Sequence, residues 1–221
     1  MHKVNIKKQI GQKAATLVED GMIIGLGTGT TAACFIESLA KLQKKIIAIA
    51  TSRATEELAR SLHIPLRSID EVEKIDITFD GADEIDTQKR LLKGAGGALL
   101  REKIIASASD ELIIMVEEKK CVSLLGAAKV AIEILPFGHK HTIAHLSELG
   151  YRGTLRLKAN EPTITDNHNY IFDIQFPAPT AEPERHDKEI RSVPGVIETG
   201  FFFGLTGRVV IGSENGSITI C

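Results

Sequence analysis

The feature that most constrains the fold is a rhythm. Short apolar segments, MIIGLG at 22–27, IIAIA at 46–50, IDITF at 75–79 and ELIIMV at 111–116, recur through the first half of the chain. Each is about one strand long, and stretches of helical length separate them. The apolar spacing predicts helices over 3–19, 31–42, 53–62 and 97–108, with a short segment IPLRSI at 64–69 before the third strand. Strands separated by helices argue for a mostly parallel sheet covered on both faces.

The rhythm changes after about residue 126. AKVAIEILP at 128–136 reads as a strand, 140–149 as a helix, TLRLK and YIFDIQF as strands, 182–192 as a helix and VIETGFFF as a strand. That order is the split βαβ arrangement of a small ferredoxin-like α+β domain. RVVIG and SITI, joined across Ser213–Gly216, read as a hairpin returning to the first domain. The expected division is an α/β domain of residues 1–126 plus 204–221 and a smaller domain of residues 127–203. No internal repeat, coiled coil or low-complexity tract interrupts it.

With 221 residues, 43% of them hydrophobic, such a chain buries roughly 70% of its unfolded surface and needs no staples. A formal charge of −2, from 27 basic and 29 acidic residues, provides no polyelectrolyte field for nucleic acid or an anionic membrane. Small molecules or protein partners are the expected ligands. MHKVNIKKQ has no apolar core of signal-peptide length, and the longest apolar runs are too short to span a bilayer, so a cytoplasmic protein is expected. Cys34, Cys121 and Cys221 lack the spacing of a disulfide framework or zinc knuckle and read as reduced, structural thiols.

In an open parallel sheet, ligands sit outside the carboxyl ends of the strands, so loops that follow strands carry the search. GLGTGTT, Gly25–Thr31, leaves a strand and enters a helix. Its glycines permit close backbone approach to an anion, the helix N–H groups point at it, and Thr28, Thr30 and Thr31 add hydroxyls. The same loop also reads as a tight structural turn. It misses the dinucleotide fingerprint, since its third glycine is at 29 and no acidic residue ends the next strand, and it misses the P-loop, since no Gly-Lys-Ser/Thr follows.

DGADEID, residues 80–86, crowds four carboxylates behind the third strand. It reads as a solvated acidic turn, as a divalent-metal loop without regular ligand alternation, or as carboxylates that handle sugar hydroxyls, with Asp80 and Asp83 innermost. RLLKGAGGALLREKI, residues 90–104, sets Lys93 beside a glycine loop and Glu102 in the helix beyond. Helical side chains lean toward the N-terminus, which would turn Glu102 back toward the loop of Lys93. The plain alternatives are a solvated Arg101-Glu102-Lys103 face and a surface lysine. His141 and His145 are four residues apart, but no Cys or carboxylate set at ligand spacing accompanies them.

Together GLGTGTT, DGADEID, KGAGGALLREKI, LLGAAK and PGVIETG resemble, in order and spacing, the type A family of ribose-5-phosphate isomerases, over essentially the whole chain. The resemblance implies a Rossmann-like larger domain, a smaller α+β domain, no metal, no cofactor and a homodimer or homotetramer. The implied activity is interconversion of ribose 5-phosphate and ribulose 5-phosphate in the pentose phosphate pathway. By matching motifs, the catalytic base falls on Glu102. Substrate-binding segments fall on Thr28, Gly29, Thr30 and Thr31, on Asp80, Gly81, Ala82 and Asp83, and on Lys93, Gly94, Ala95 and Gly96, with further lysines at Lys120 and Lys7. Ala95 stands where relatives often have a glycine, and Phe201–Phe203 replace a more usual Leu-Phe.

The implied chemistry moves a carbonyl from C1 to C2. Glu102 would carry the proton between carbons through a cis-enediolate, and Lys93 with the loop's N–H groups would stabilise charge on the oxygen. Asp80 and Asp83 would orient hydroxyls and help open the ring, and the phosphate would anchor at GTGTT, Lys7 and Lys120. A sugar-phosphate sensor on the same fold would keep the phosphate loop but need neither Glu102 nor Lys93. A nucleotide-binding enzyme would need the missing acidic ribose contact.

Overall fold

A computed structural model describes residues 5–221. Positions 1–4, which include His2 and the start of the helix expected over 3–19, lie outside the described residues. The chain runs α1 (Ile6–Ala15), β1 (Ile23–Leu26), α2 (Thr30–Lys41), β2 (Ile47–Ala50), α3 (Arg53–Ser61), β3 (Ile75–Asp80), β4 (Glu84–Ile85) and β5 (Leu91–Leu92). It continues with α4 (Leu99–Ser107), β6 (Ser109–Glu117), β7 (Val130–Ile134), α5 (His139–Glu148), β8 (Gly153–Leu155), β9 (Leu157–Lys158) and β10 (Glu161–Pro162). The remainder is β11 (Tyr170–Ile174), α6 (Pro183–Arg191), β12 (Val196–Thr199), β13 (Phe201–Phe202), β14 (Thr206–Gly212) and β15 (Ile218–Ile220).

Two compact units result. The first holds the described residues up to Ala82, with Arg101–Cys121 and Leu205–Cys221; the second holds Asp83–Leu100 and Val122–Gly204. The first is built on a six-stranded sheet of order β15-β14-β6-β3-β1-β2. Its pairs are parallel except for the terminal hairpin β14–β15. Ile24, Leu26, Phe79, Ile113 and Met115 of the strands pack with Ile10, Ala14, Phe35 and Ile36 of α1 and α2. Gly11 makes the α1–α2 contact possible, because a Cβ there would lie 2.5 Å from the backbone nitrogen of Phe35. A separate apolar cluster joins Ile105 of α4 to Ile49 and Ile75, as expected of a sheet with helices on both faces.

The second unit contains a four-stranded antiparallel sheet of order β12-β7-β11-β8. With α5 between β7 and β8, and α6 between β11 and β12, this is the ferredoxin-like order. Its core is formed by Val130, Ile132, Ile134, Leu146, Phe172, Ile174, Ile190 and Phe201.

Three features depart from the sequence reading. Residues 83–100, expected in the first domain, group with the second unit, because β4 and β5 pair with each other and β5 pairs with β13. Two-residue strands have no periodicity to reveal them. VIETGFFF, expected as one strand, is two: Gly200 donates to Ala131 O and accepts from Lys93 N, so β12 and β13 belong to different sheets. The first helix stops at Ala15, capped at Thr16, well short of residue 19. The three cysteines are free, but only Cys34 is partly buried; Cys121 and Cys221 are exposed, so the structural role expected of all three does not extend to these two.

Candidate active site

In the first unit the expected residues gather at one edge of the sheet. Thr28–Thr31 follow β1, Asp80 ends β3, and Lys120 closes a short helical turn after β6. Since β1, β3 and β6 are parallel neighbours, these positions share the carboxyl side, where open α/β sheets bind ligands. Asp80 is only 1% exposed. Its Oδ1 accepts from the backbone N–H groups of Thr28 at 3.2 Å and Gly81 at 2.7 Å, which ties the glycine loop to the acidic loop.

The loop's two central glycines serve different ends. A Cβ on Gly27 would fall 2.1 Å from Asp80 Oδ1, whereas one on Gly29 would meet nothing. Gly29 instead has φ 118° and ψ 179° as it caps α2, a conformation reserved to glycine. Beyond it the exposed Thr30 opens the helix, and its Oγ1 accepts from Lys7 Nζ at 2.8 Å. Lys7 also lies 3.7 Å from Glu117 Oε1. A helix N-terminus with a lysine and hydroxyls beside it is suited to an anion.

Thr28 differs from expectation. Its hydroxyl is engaged with Thr51 Oγ1 at 2.8 Å, Ser52 Oγ at 2.8 Å and Thr55 Oγ1 at 3.1 Å. Thr55 Oγ1 in turn donates to Gly27 O, and Thr51 Oγ1 to Leu26 O. The side chain therefore braces the loop from behind. Thr51, Ser52 and Thr55, all buried, went unrecognised in the sequence. The string ATSRAT shows there only the start of a helix, which Ser52 indeed caps through Thr55 N.

Glu102 belongs to the first turn of α4 and is 4% exposed. Ionisable residues are rarely buried to this extent.

The other three carboxylates of the motif lie in the second unit and separate by role. Glu84 accepts from Gly126 N at 2.6 Å and Ala128 N at 2.5 Å. Asp86 accepts from Gln88 N, Arg90 N and Arg90 Nε. Both are buried: Glu84 ties β4 to the segment at 126–128, and Asp86 staples its own loop. Asp83 is half-exposed, and its Oδ2 accepts from Ala95 N at 2.9 Å, joining the acidic loop to the glycine loop. Lys93 is 4% exposed, with its ammonium 5.5 Å from the Phe202 ring centroid, a cation–π arrangement. Gly97 N donates to Gly94 O and turns the loop toward α4. His141 and His145 lie along α5, and among the described residues no three His, Cys, Asp or Glu side chains form a metal-binding group.

The family model described as ribose 5-phosphate isomerase A (phosphoriboisomerase A) matches residues 47–216. A ribose-5-phosphate isomerase A of Protochlamydia amoebophila is 48% identical over 221 residues, covering 98% of this chain and 95% of that protein. The solved ribose 5-phosphate isomerase of Plasmodium falciparum superposes with a TM-score of 0.94 at 38% identity, covering 98% of this chain and 97% of the other. A D-ribose-5-phosphate isomerase solved in complex with phospho-erythronic acid gives a TM-score of 0.93 at 38% identity, covering 100% and 99%. With the whole chain matched in sequence and fold, this protein belongs to the ribose 5-phosphate isomerase A family, whose members are isomerases interconverting ribose 5-phosphate and ribulose 5-phosphate in the pentose phosphate pathway.

Proposed function

We propose that Glu102 is the single base of this isomerisation, removing the proton from C2 of the open-chain aldose and returning it to C1 through a cis-enediolate. The carrying observation is a carboxylate 4% exposed in the first turn of α4, where bulk water has little access to exchange the proton in transit. Lys93 and the N–H groups of Gly94 and Gly96, the Ala95 N–H being held by Asp83, stabilise the negative charge that grows on the carbonyl oxygen, which favours the transition state over the ground state. Asp80 and Asp83 hold the sugar hydroxyls and assist ring opening. The phosphate binds at Gly29–Thr31 with Lys7 and Lys120, and its binding energy positions the reacting carbons. The phospho-erythronic acid bound by a relative is a phosphorylated sugar acid of the class this site would take. The protein works in the cytoplasm as a homodimer or homotetramer, without nucleic acid or membrane partners; no helix among the described residues is long and apolar enough to cross a membrane.

Glu102→Gln tests the assignment. It should retain sugar-phosphate binding and lose turnover by about 10² to 10⁴, the usual worth of a positioned base. Unchanged turnover removes Glu102 from the mechanism. The parent enzyme should work in the presence of a chelator.

A further inference from the structure

We infer that Arg156, held by Asp173, is a positioning residue that sets the aim of the glycine loop's backbone donors. The inference rests on the reading that Lys93–Gly96 meets the substrate. Arg156 stands at the corner between β8 and β9. Its own N–H donates to Ile171 O and its carbonyl accepts from Thr163 N, both at 2.8 Å, so its backbone is fixed on two sides. Asp173, on β11 opposite Thr154 and Ala131, takes the guanidinium in a two-pronged grip, with Nε at 2.8 Å from Oδ2 and Nη2 at 2.5 Å from Oδ1. Such a fork fixes the plane of the whole group. The remaining nitrogen, Nη1, then donates to Gly94 O and Ala95 O, each at 3.0 Å.

Those two carbonyls decide where the loop's N–H groups point. No peptide of the described chain is cis, and in a trans peptide C=O and N–H face opposite ways. Drawing Gly94 O onto Arg156 therefore sends the Ala95 N–H away from the guanidinium, and it is found on Asp83 Oδ2. Drawing Ala95 O onto the same nitrogen likewise turns the Gly96 N–H away from it. Within the run, Gly97 N already holds Gly94 O, but its glycines have little intrinsic preference for one peptide orientation, so the Ala95–Gly96 peptide takes its direction from Arg156. The Arg156–Asp173 pair is neutral overall and brings no net charge for the phosphate. Its effect belongs to the transition state, through donors aimed in advance.

The test compares Arg156→Ala, Arg156→Lys and Asp173→Asn with Lys93→Ala and Glu102→Gln on ribose 5-phosphate. All three clamp variants should lose about 10- to 100-fold in kcat while KM moves less than about threefold, the pattern of an interaction made in the transition state. Phospho-erythronic acid, whose carboxylate resembles the two oxygens of an enediolate, should lose inhibition in step with kcat/KM, and inorganic phosphate should not. Added guanidinium should restore part of the turnover of Arg156→Ala, which a merely structural arginine would not permit. Clamp variants that melt lower but keep parental kcat overturn the inference if Lys93→Ala and Glu102→Gln have lost theirs. If those two also keep it, the underlying reading of the site fails with it.

Discussion

Gly27→Ala isolates the geometric demand made by the loop after β1. The added Cβ would lie 2.1 Å from Asp80 Oδ1, 2.3 Å from its Cγ and 2.7 Å from its Cα. Turning the carboxylate aside breaks its bonds from Thr28 N and Gly81 N and leaves the Cα overlap untouched. Relief requires β1 and β3, joined there by Gly27 N to Phe79 O at 2.9 Å, to part by about 0.8 to 1 Å to reach ordinary carbon–carbon contact. Overpacking costs roughly 1–3 kcal/mol, and weakening a charge-assisted bond adds about 1.5–3 kcal/mol. A total of about 2.5–6 kcal/mol lowers Tm by roughly 5–24 °C in a chain of this length. Turnover of the folded protein should fall at least about tenfold, since Asp80 is displaced by most of an ångström. Gly29→Ala is the control: it meets no atom and carries only its backbone strain of about 1–3 kcal/mol. Calorimetry with turnover measured well below Tm reads both effects. A Gly27→Ala protein melting within about 2 °C of the parent, or higher than Gly29→Ala, refutes the steric argument.

Lys7→Ala removes the ammonium 2.8 Å from Thr30 Oγ1; KM for the sugar phosphate should rise several-fold with kcat nearly unchanged, and initial-rate kinetics decide. Glu84→Ala strands the buried N–H of Gly126 and the partly buried N–H of Ala128, at about 1–3 kcal/mol each. It should lower Tm by about 4–24 °C yet leave kcat of the folded protein near parental, unlike Asp80→Ala or Asp83→Ala in the same motif. His186, within 2.9 Å of the Tyr151 hydroxyl, has its pKa lowered from 6.5, first by burial and then by Arg185, against the opposing pull of Glu189 and Glu182. The unfolded chain thus takes a proton that the native one refuses. This contribution to stability is present above pH 6.5 and is lost as pH falls toward the folded value. His186→Gln should lessen the drop in Tm between pH 7.5 and 5.5; an unchanged slope counts against it.

Much of the fold and of the candidate site was legible because their signals are local. Strand-length apolar runs at 22–27, 46–50, 75–79 and 111–116 mark buried parallel strands wherever the chain goes, since a strand covered on both faces has no polar side to show. The strand-helix-strand-strand-helix-strand order after 126 names the second unit's topology for the same reason. That Thr28–Thr31 and Asp80 lie at one edge was legible because loops that follow parallel strands share it. Lys93 and Glu102 became candidates through the ordered motifs of the family.

What tertiary structure alone decided depends on contacts between residues distant along the chain. Nothing in DGADEID distinguishes Asp80 and Asp83 from Glu84 and Asp86; the backbone N–H groups of residues 126 and 128, and Arg90 with its neighbours, claim the latter two. The hydroxyl of Thr28 turns inward because Thr51, Ser52 and Thr55 converge on it. Arg156 reaches carbonyls 61 and 62 positions back in sequence. Periodicity reports which side of an element is buried, but a hydrogen bond goes to whichever donor or acceptor the folded chain brings within about 3 Å, and that choice has no local record.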